Sequence, residues 1–246
     1  MTNSSPINPS DIQKFVILLR DGVITDAHGL LPWGSNFTYL MRLSIDGHDE
    51  KAIYKPRHGE RPLWDFPDGS LCRRELAAFE VSEALGWHIV PPTVLRDGPH
   101  GLGMVQSYID HDPNQHYFTF GDGFKAQLRR IALFDHLINN ADRKGGHCLL
   151  DGAGRIWAID HGISFHAQPK LRTVIWEFAG EEISSELLLD LKRFVENMNS
   201  WLETSVVRQL LDESETEALH ERVAALMLRS HYPEPGSNRQ YPWPPI

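Results

Sequence analysis

The sequence predicts an α+β chain of two unequal lobes, a small β-rich one followed by a helical one. Three observations carry this. Residues 37–55 alternate apolar and polar side chains around an Asp46-Gly47 turn, the pattern of a hairpin. After Asp110 the apolar residues recur at helical spacing, in long segments. The 246 residues suit one large domain or two small lobes sharing a cleft.

The elements follow in order. Ser10 or Asp11 can cap a short helix with Ile12, Phe15, Val16 and Leu19 on one face. Gly22, Gly29, Pro32 and Gly34 then break the chain. Residues 37–45 form a strand, and 51–55 return antiparallel until Pro56. A polar, Pro-rich connection spans 57–69. Ser70 can cap a helix to Leu85, stopped by Gly86, with Leu76, Ala77, Phe79, Val81 and Ala84 as its stripe. Pro91-Pro92 holds residues 87–95 extended, and 103–109 are a further strand. A polar loop over 110–123 leads to a long helix ending at Asn139, with Phe124, Leu128, Ile131, Phe134/Asp135 and Ile138 in phase. Residues 147–159 form a short hairpin. Two late helices follow, one around Leu187–Leu202 and one around Leu219–Met227, the second opened by a capping box at 214–217. From Tyr232 on, five prolines in fifteen residues predict a tail without a core. The expected division is an N-lobe over 1–109, a C-lobe over 110–231 and the tail over 232–246.

Composition excludes several classes. The net charge is −9, which repels phosphate backbones, and the longest basic runs are the pairs Arg73-Arg74 and Arg129-Arg130. No nucleic acid and no integral membrane contact are therefore expected. No apolar run approaches the roughly 20 residues that a bilayer requires, and the first residues lack the features of a secretory signal. Two cysteines, Cys72 and Cys148, make no disulfide framework, so a reduced, cytoplasmic protein is expected.

Three clusters carry chemistry: residues 139–147, residues 158–165, and Lys55 with Glu75. Taken singly each has a bland reading. An Asp-Arg in a loop is usually a solvated pair, Asp-X-Gly a turn, a strand Lys or helical Glu a surface charge. Their order gives the functional reading. Strand with Lys, helix with Glu, strand, long helix, Asp loop, hairpin and Asp-X-Gly is the layout of a kinase-type phosphotransferase. A triphosphate needs a Lys to neutralise it and a Glu to hold that Lys. A bridging metal needs a carboxylate at a strand end, and the acceptor hydroxyl needs a second one.

The segments N-N-A-D-R at 139–143 and I-D-H-G-I-S-F at 159–165 resemble the phosphatidylinositol 3-/4-kinase-like family, most closely the type II phosphatidylinositol 4-kinases and their bacterial relatives. The stretch G-E-R-P-L-W-D-F-P at 59–67 looks like a bacterial kinase-like branch, and the resemblance covers roughly residues 30–180. It implies an atypical, phosphatidylinositol-kinase-like version of the protein-kinase fold that uses ATP and Mg2+ or Mn2+. Lys55 would contact the α- or β-phosphate and Glu75 would pair with it. Gly34, Ser35 and Asn36 would form the phosphate-covering turn. Gln106, Ser107, Tyr108 and Ile109 would be the hinge at the adenine. Asp142 would orient the acceptor, Arg143 would fix its loop, and Asp160 would bind the metal.

Two departures stand out. Gly34 is alone where protein kinases carry several glycines. His147 stands where the family has a second metal-binding Asn, and imidazole suits Mn2+ better than Mg2+. The expected activity is transfer of the ATP γ-phosphate to an alcohol on a small molecule, a lipid headgroup or a protein, with a phosphoinositide disfavoured by the charge. One alternative is a nucleotide-binding pseudokinase that acts through a protein partner. Another is a metal hydrolase built from Asp142, His147, Asp160, His161 and His166. His58, His100, His111, His116 and His136 read as surface or loop residues. Trp33, Trp64, Trp157 and Trp176 read as core or lobe-interface anchors. Lys170 and Arg172, after the metal segment, read as a solvated loop or as a dock for an anionic acceptor.

Overall fold

The first lobe is a five-stranded antiparallel sheet of order β1-β2-β3-β5-β4, described by a computed structural model that covers residues 8–30, 37–236 and 240–246. Helix α1 (Ile12–Asp21) leads into β1 (Val23–Leu30), β2 (Tyr39–Ile45), β3 (His48–Pro56), β4 (Thr93–Gly98) and β5 (Gly101–Ser107). The predicted alternation of β2 and β3 is borne out: Met41, Leu43, Ala52 and Tyr54 turn inward and meet Leu18 and Leu19 of α1. Asp46 and Gly47 both take positive φ, 50° and 80°, as the tight turn demands. Strand β1 falls where the glycines predicted a break. Its side chains carry little alternation, and it is held instead by main-chain pairing to β2 from Val23↔Ser44 to Leu30↔Tyr39. A polar edge strand of this kind leaves no hydrophobic signature.

Helix α2 (Leu71–Ala84) buries Leu76, Ala77, Phe79 and Val81, as its stripe predicts. The cap differs. Ser70 Oγ donates to Pro67 O, while the Glu60 carboxylate accepts the Leu71 and Cys72 N–H groups at 3.0 and 2.8 Å. Gly86, at φ 69°, ends the helix as expected.

The second lobe consists of α3 (Lys125–Ile138), the hairpin β6 (Cys148–Leu150) and β7 (Ile156–Ala158), then α4 (Ser185–Thr204), α5 (Val207–Leu210) and α6 (Glu213–Arg229). One apolar core runs from α2 through Phe134, Trp157, Phe165 and Phe178 to Leu191 and Leu219. The capping box of α6 lies two residues earlier than predicted: Asp212 Oδ1 accepts Glu215 N, and Glu215 Oε2 accepts Asp212 N. Asp212 has the side-chain acceptor and the extended φ of −80° and ψ of 172° that a cap needs. Glu215 also pairs with the buried Arg74 of α2, which ties the two lobes.

Three expectations are corrected. Trp64 is 92% exposed and anchors no core; Lys170 Nζ lies 4.8 Å from its ring centroid. His136 is not a surface residue: it packs half-buried in α3, 5.6 Å from the Trp176 ring. The tail does not stand away from the core either. Tyr232 and Pro242 are buried, and Gln240 and Pro245 are hydrogen-bonded to the second lobe. Cys72 and Cys148 are buried free thiols. Among the described residues, no helix is long and apolar enough to cross a membrane.

Candidate active site

Strand β3 delivers Lys55, paired in register with Met104 of β5, to the mouth between the lobes. Its ammonium donates to Glu75 Oε1 of α2 at 2.9 Å and to Asp160 Oδ1 at 2.8 Å. Burial alone would lower the lysine's pKa, but the carboxylates of Asp160 and Glu75 outweigh it and raise it. Asp160 shows the converse balance. Burial would raise it, and Lys55 and then His147 hold it far below the carboxylate range. The Glu75 carboxyl is pushed up by burial despite Lys55. Its second oxygen accepts the His161 main-chain N–H at 2.8 Å.

The predicted loop after α3 starts at Asn139, which takes the left-handed conformation at φ 54° and closes the helix. Arg143, fully buried, donates through Nε and Nη2 to Asp135 of α3 at 2.9–3.1 Å. Its Nη1 donates to Ile159 O at 2.8 Å and its Nη2 to His161 Nε2 at 2.8 Å. One guanidinium thus binds the loop, the helix and the Asp160 segment together. Asn140 Nδ2 donates to the same Asp135, and Asn140 Oδ1 accepts the Asp142 N–H at 3.0 Å. This turn presents the Asp142 carboxylate at the cleft, with Lys144 Nζ at 3.1 Å. Burial raises Asp142 above the ordinary carboxylate value, against Lys144.

Asp160 itself has φ 62°, an uncommon conformation for a non-glycine residue. It turns the carboxylate back toward Lys55 and His147. His147 Nε2 lies 3.2 Å from Asp160 Oδ2, and burial holds the imidazole neutral, with its pKa lowered to about 4.

Six predicted residues therefore meet: Lys55, Glu75, Asp142, Arg143, His147 and Asp160. Gly34, Ser35 and Asn36, with Trp33, lie outside the described residues. Gln106 lies on the same sheet face as Lys55, and its amide donates to Thr93 Oγ1 at 2.8 Å. Ser107 is buried, and its hydroxyl has no partner among the described residues. Tyr108 N donates to Lys51 O at 3.1 Å, and His111 Nδ1 donates to the carbonyl of Ile109 at 2.8 Å. A hinge here can offer main-chain groups, whereas the Gln106 side chain is already committed.

Sequence reasoning missed Asp135, Asn140 and His161 as supports. Asp135 carried a signal: a carboxylate in phase with the apolar stripe of a helix must have a partner inside. The His/Asp hydrolase reading fails on geometry. His161 faces Arg143, the His166 ring packs on Phe66 at 5.3 Å, and no three His, Cys, Asp or Glu side chains converge on a metal position among the described residues.

No protein-family model matches the chain. Among solved structures it is similar to the golgi casein kinase, with TM-score 0.52 and 13% identity over 94% of this chain and 80% of that one. It is similar to hydra Fam20 with sugar at TM-score 0.56 and 13% identity, over 92% and 90%. It is also similar to the Helicobacter pylori proinflammatory kinase CtkA at TM-score 0.51 and 14% identity, over 87% and 94%. These likenesses show the kinase-like bilobal fold. Among curated proteins, Protein Rv2133c of Mycobacterium tuberculosis is 36% identical over 262 aligned positions, covering 92% of this chain and 94% of that protein. The chain belongs to the family of Protein Rv2133c, and it carries that family's sequence on a kinase-like fold.

Proposed function

We propose that this chain is an ATP-dependent phosphotransferase that moves the γ-phosphate to an alcohol. The observation that carries the reading is the position of Lys55, bonded at once to Glu75 and to Asp160. A lysine held between a helix carboxylate and a strand-end carboxylate is poised to neutralise phosphate oxygens. Asp142, raised by burial and set at the cleft by Asn140, is placed to accept the proton of an acceptor hydroxyl. The acceptor is a small molecule, a lipid headgroup or a protein side chain. Arg172 lies close enough to lower the Asp142 pKa, which favours an acceptor with an anionic group. The phosphatidylinositol-kinase-like ancestry rests on the 139–143 and 159–165 segments, and the net charge of −9 argues against work at an anionic membrane.

A divalent ion fits the residues present. The Asp160 carboxylate is 39% exposed, and a neutral imidazole nitrogen lies 3.2 Å from it. Two protein donors leave the other positions to phosphate and water oxygens. The ion would screen charge on the phosphates. Asp160 and His147 would hold it, and the nitrogen donor favours Mn2+.

The test is the thermal midpoint with ATP plus Mg2+ or Mn2+, against each component alone. ATP at about 100 times its dissociation constant stabilises by roughly 2.7 kcal/mol, a rise of about 5–10 °C. A shift that needs nucleotide and metal together supports the reading. A shift with metal alone, or none, sinks it. A shift without turnover in any acceptor screen, unaltered by Asp142→Asn, indicates the pseudokinase.

A further inference from the structure

The tail that the sequence left without a role is bonded to both sides of the Asp142 loop. Pro245 O accepts the Gly145 N–H at 2.8 Å, three residues after Asp142. Gln240 O accepts the Thr173 N–H at 3.0 Å and the Trp176 Nε1–H at 3.2 Å. Thr173 is itself fully buried and forms a parallel bridge with Arg143. Its hydroxyl donates to Asp135 at 3.3 Å, the carboxylate that holds the Arg143 guanidinium. Arg172, one residue earlier, accepts from Arg143 N and donates to Asn140 O, so it brackets Asp142 from the far side.

We infer that residues 240–246 are a positioning clamp for the phosphotransfer site, holding the Asp142–His147 loop against the 172–176 segment through the carbonyls of Gln240 and Pro245. One further feature fits a built contact: Pro242 is buried between the two anchor points. Gly145 makes room for Phe118, which a side chain there would meet at 2.8 Å, while Pro245 O would lie in ordinary contact at 3.5 Å. Without the clamp, the amides of Gly145 and Thr173 lose their acceptors, and the loop between them is free to move relative to Lys55. A shift of an ångström there is enough to slow a transfer reaction strongly.

The catalytic consequence rests on the phosphotransferase reading; the clamp itself does not. The experiment compares the full chain with one lacking residues 240–246 and with Trp176→Phe, which removes one anchor donor and keeps a ring against His136. Hydrogen exchange is read over 142–147 and 172–176, and ADP release is read with ATP and Mn2+. The expected result is exchange at least about tenfold faster in both segments of the shortened chain. The ATP-dependent thermal shift should persist, and kcat should fall by about tenfold or more with KM for ATP little changed. A synthetic peptide of residues 240–246 should restore part of both, and Trp176→Phe should show the smaller change in the same direction. Unchanged exchange in the two segments overturns the clamp, as does faster ADP release on truncation, which would make the tail a lid. If the shortened chain does not fold, the exchange of Trp176→Phe over 172–176 decides alone. If the full chain shows neither thermal shift nor turnover, the phosphotransferase reading falls, and the exchange result still decides the clamp.

Discussion

Two charged centres hold this molecule together, and they are built on opposite principles. At Lys55, one ammonium is shared between Glu75 and Asp160, with side chains 20%, 3% and 39% exposed. At Arg143, guanidinium and carboxylate are both 0% exposed, and Asp135 also takes bonds from Asn140 and Thr173. The first centre is part-exposed at Asp160, and its partners can be exchanged for phosphate or metal. The second is saturated and closed to water. A buried pair with every valence filled is scaffold, because removing one member strands the other. A pair open on one side is available for chemistry. The difference separates two roles that the same residue types, cations beside carboxylates, play in one fold.

The largest effect should come from breaking the closed centre. Arg143→Met leaves Asp135 buried without its main partner and should cost about 3–5 kcal/mol. Chemical denaturation would measure it, and a loss under about 1 kcal/mol would show that the centre is not scaffold. Opening the other centre should show the reverse balance. Lys55→Met should cost only about 1–2 kcal/mol of stability, because the Asp160 carboxylate is part-exposed to water and burial pushes the Glu75 carboxyl up. The same change should reduce ATP turnover by roughly 100-fold or more. Equal losses of stability in the two variants would erase the distinction between the part-exposed and the sealed centre.

The pH dependence sharpens the scaffold side. His136 on α3, the helix that carries Asp135, is pushed down to about 4 by burial. The unfolded chain binds its proton near the ordinary value of 6.5, while the folded chain refuses it until about pH 4. Stability from this group is therefore full above pH 6.5 and is lost as pH falls toward 4, by at most about 3 kcal/mol. His136→Phe should flatten melting against pH across that window; an unchanged profile would show that His136 is not the source. The smallest effect concerns the helix that carries Glu75. Glu60→Gln weakens the carboxylate cap on α2 and should cost about 1 kcal/mol, read as a fall in the melting midpoint of about 2–4 °C. No change at all would mean that the first turn is held by packing alone.

How much of this was legible depended on the range of each signal. Lys55, Glu75 and the two Asp segments stood out by local pattern and order, while the roles of Asp142, Arg143 and Asp160 came from the family resemblance. Asp135 was visible only as an oddity in an apolar stripe, since its partner lies in the loop beyond the helix. The α2 cap was misread because Ser70 was the nearest capping residue, while the true acceptor, Glu60, reaches back from a separate loop. Strand β1 was missed because main-chain pairing to a neighbour leaves no side-chain periodicity. The tail was misread for a similar reason: it docks through carbonyls, which every residue has and which composition cannot rank.

The sequence by itself determined the order of elements, the hairpin and helix periodicities, and which ionisable residues fall at strand ends and loops. These follow from local conformational preference and from the spacing of apolar side chains. Tertiary structure alone decided that Lys55 reaches Asp160 as well as Glu75, that His147 faces Asp160, that Arg143 is sealed on Asp135, and that the last residues reach the Asp142 loop. Those outcomes depend on contacts between distant segments. There, burial removes water as the competing partner, and each polar group must find another within the fold.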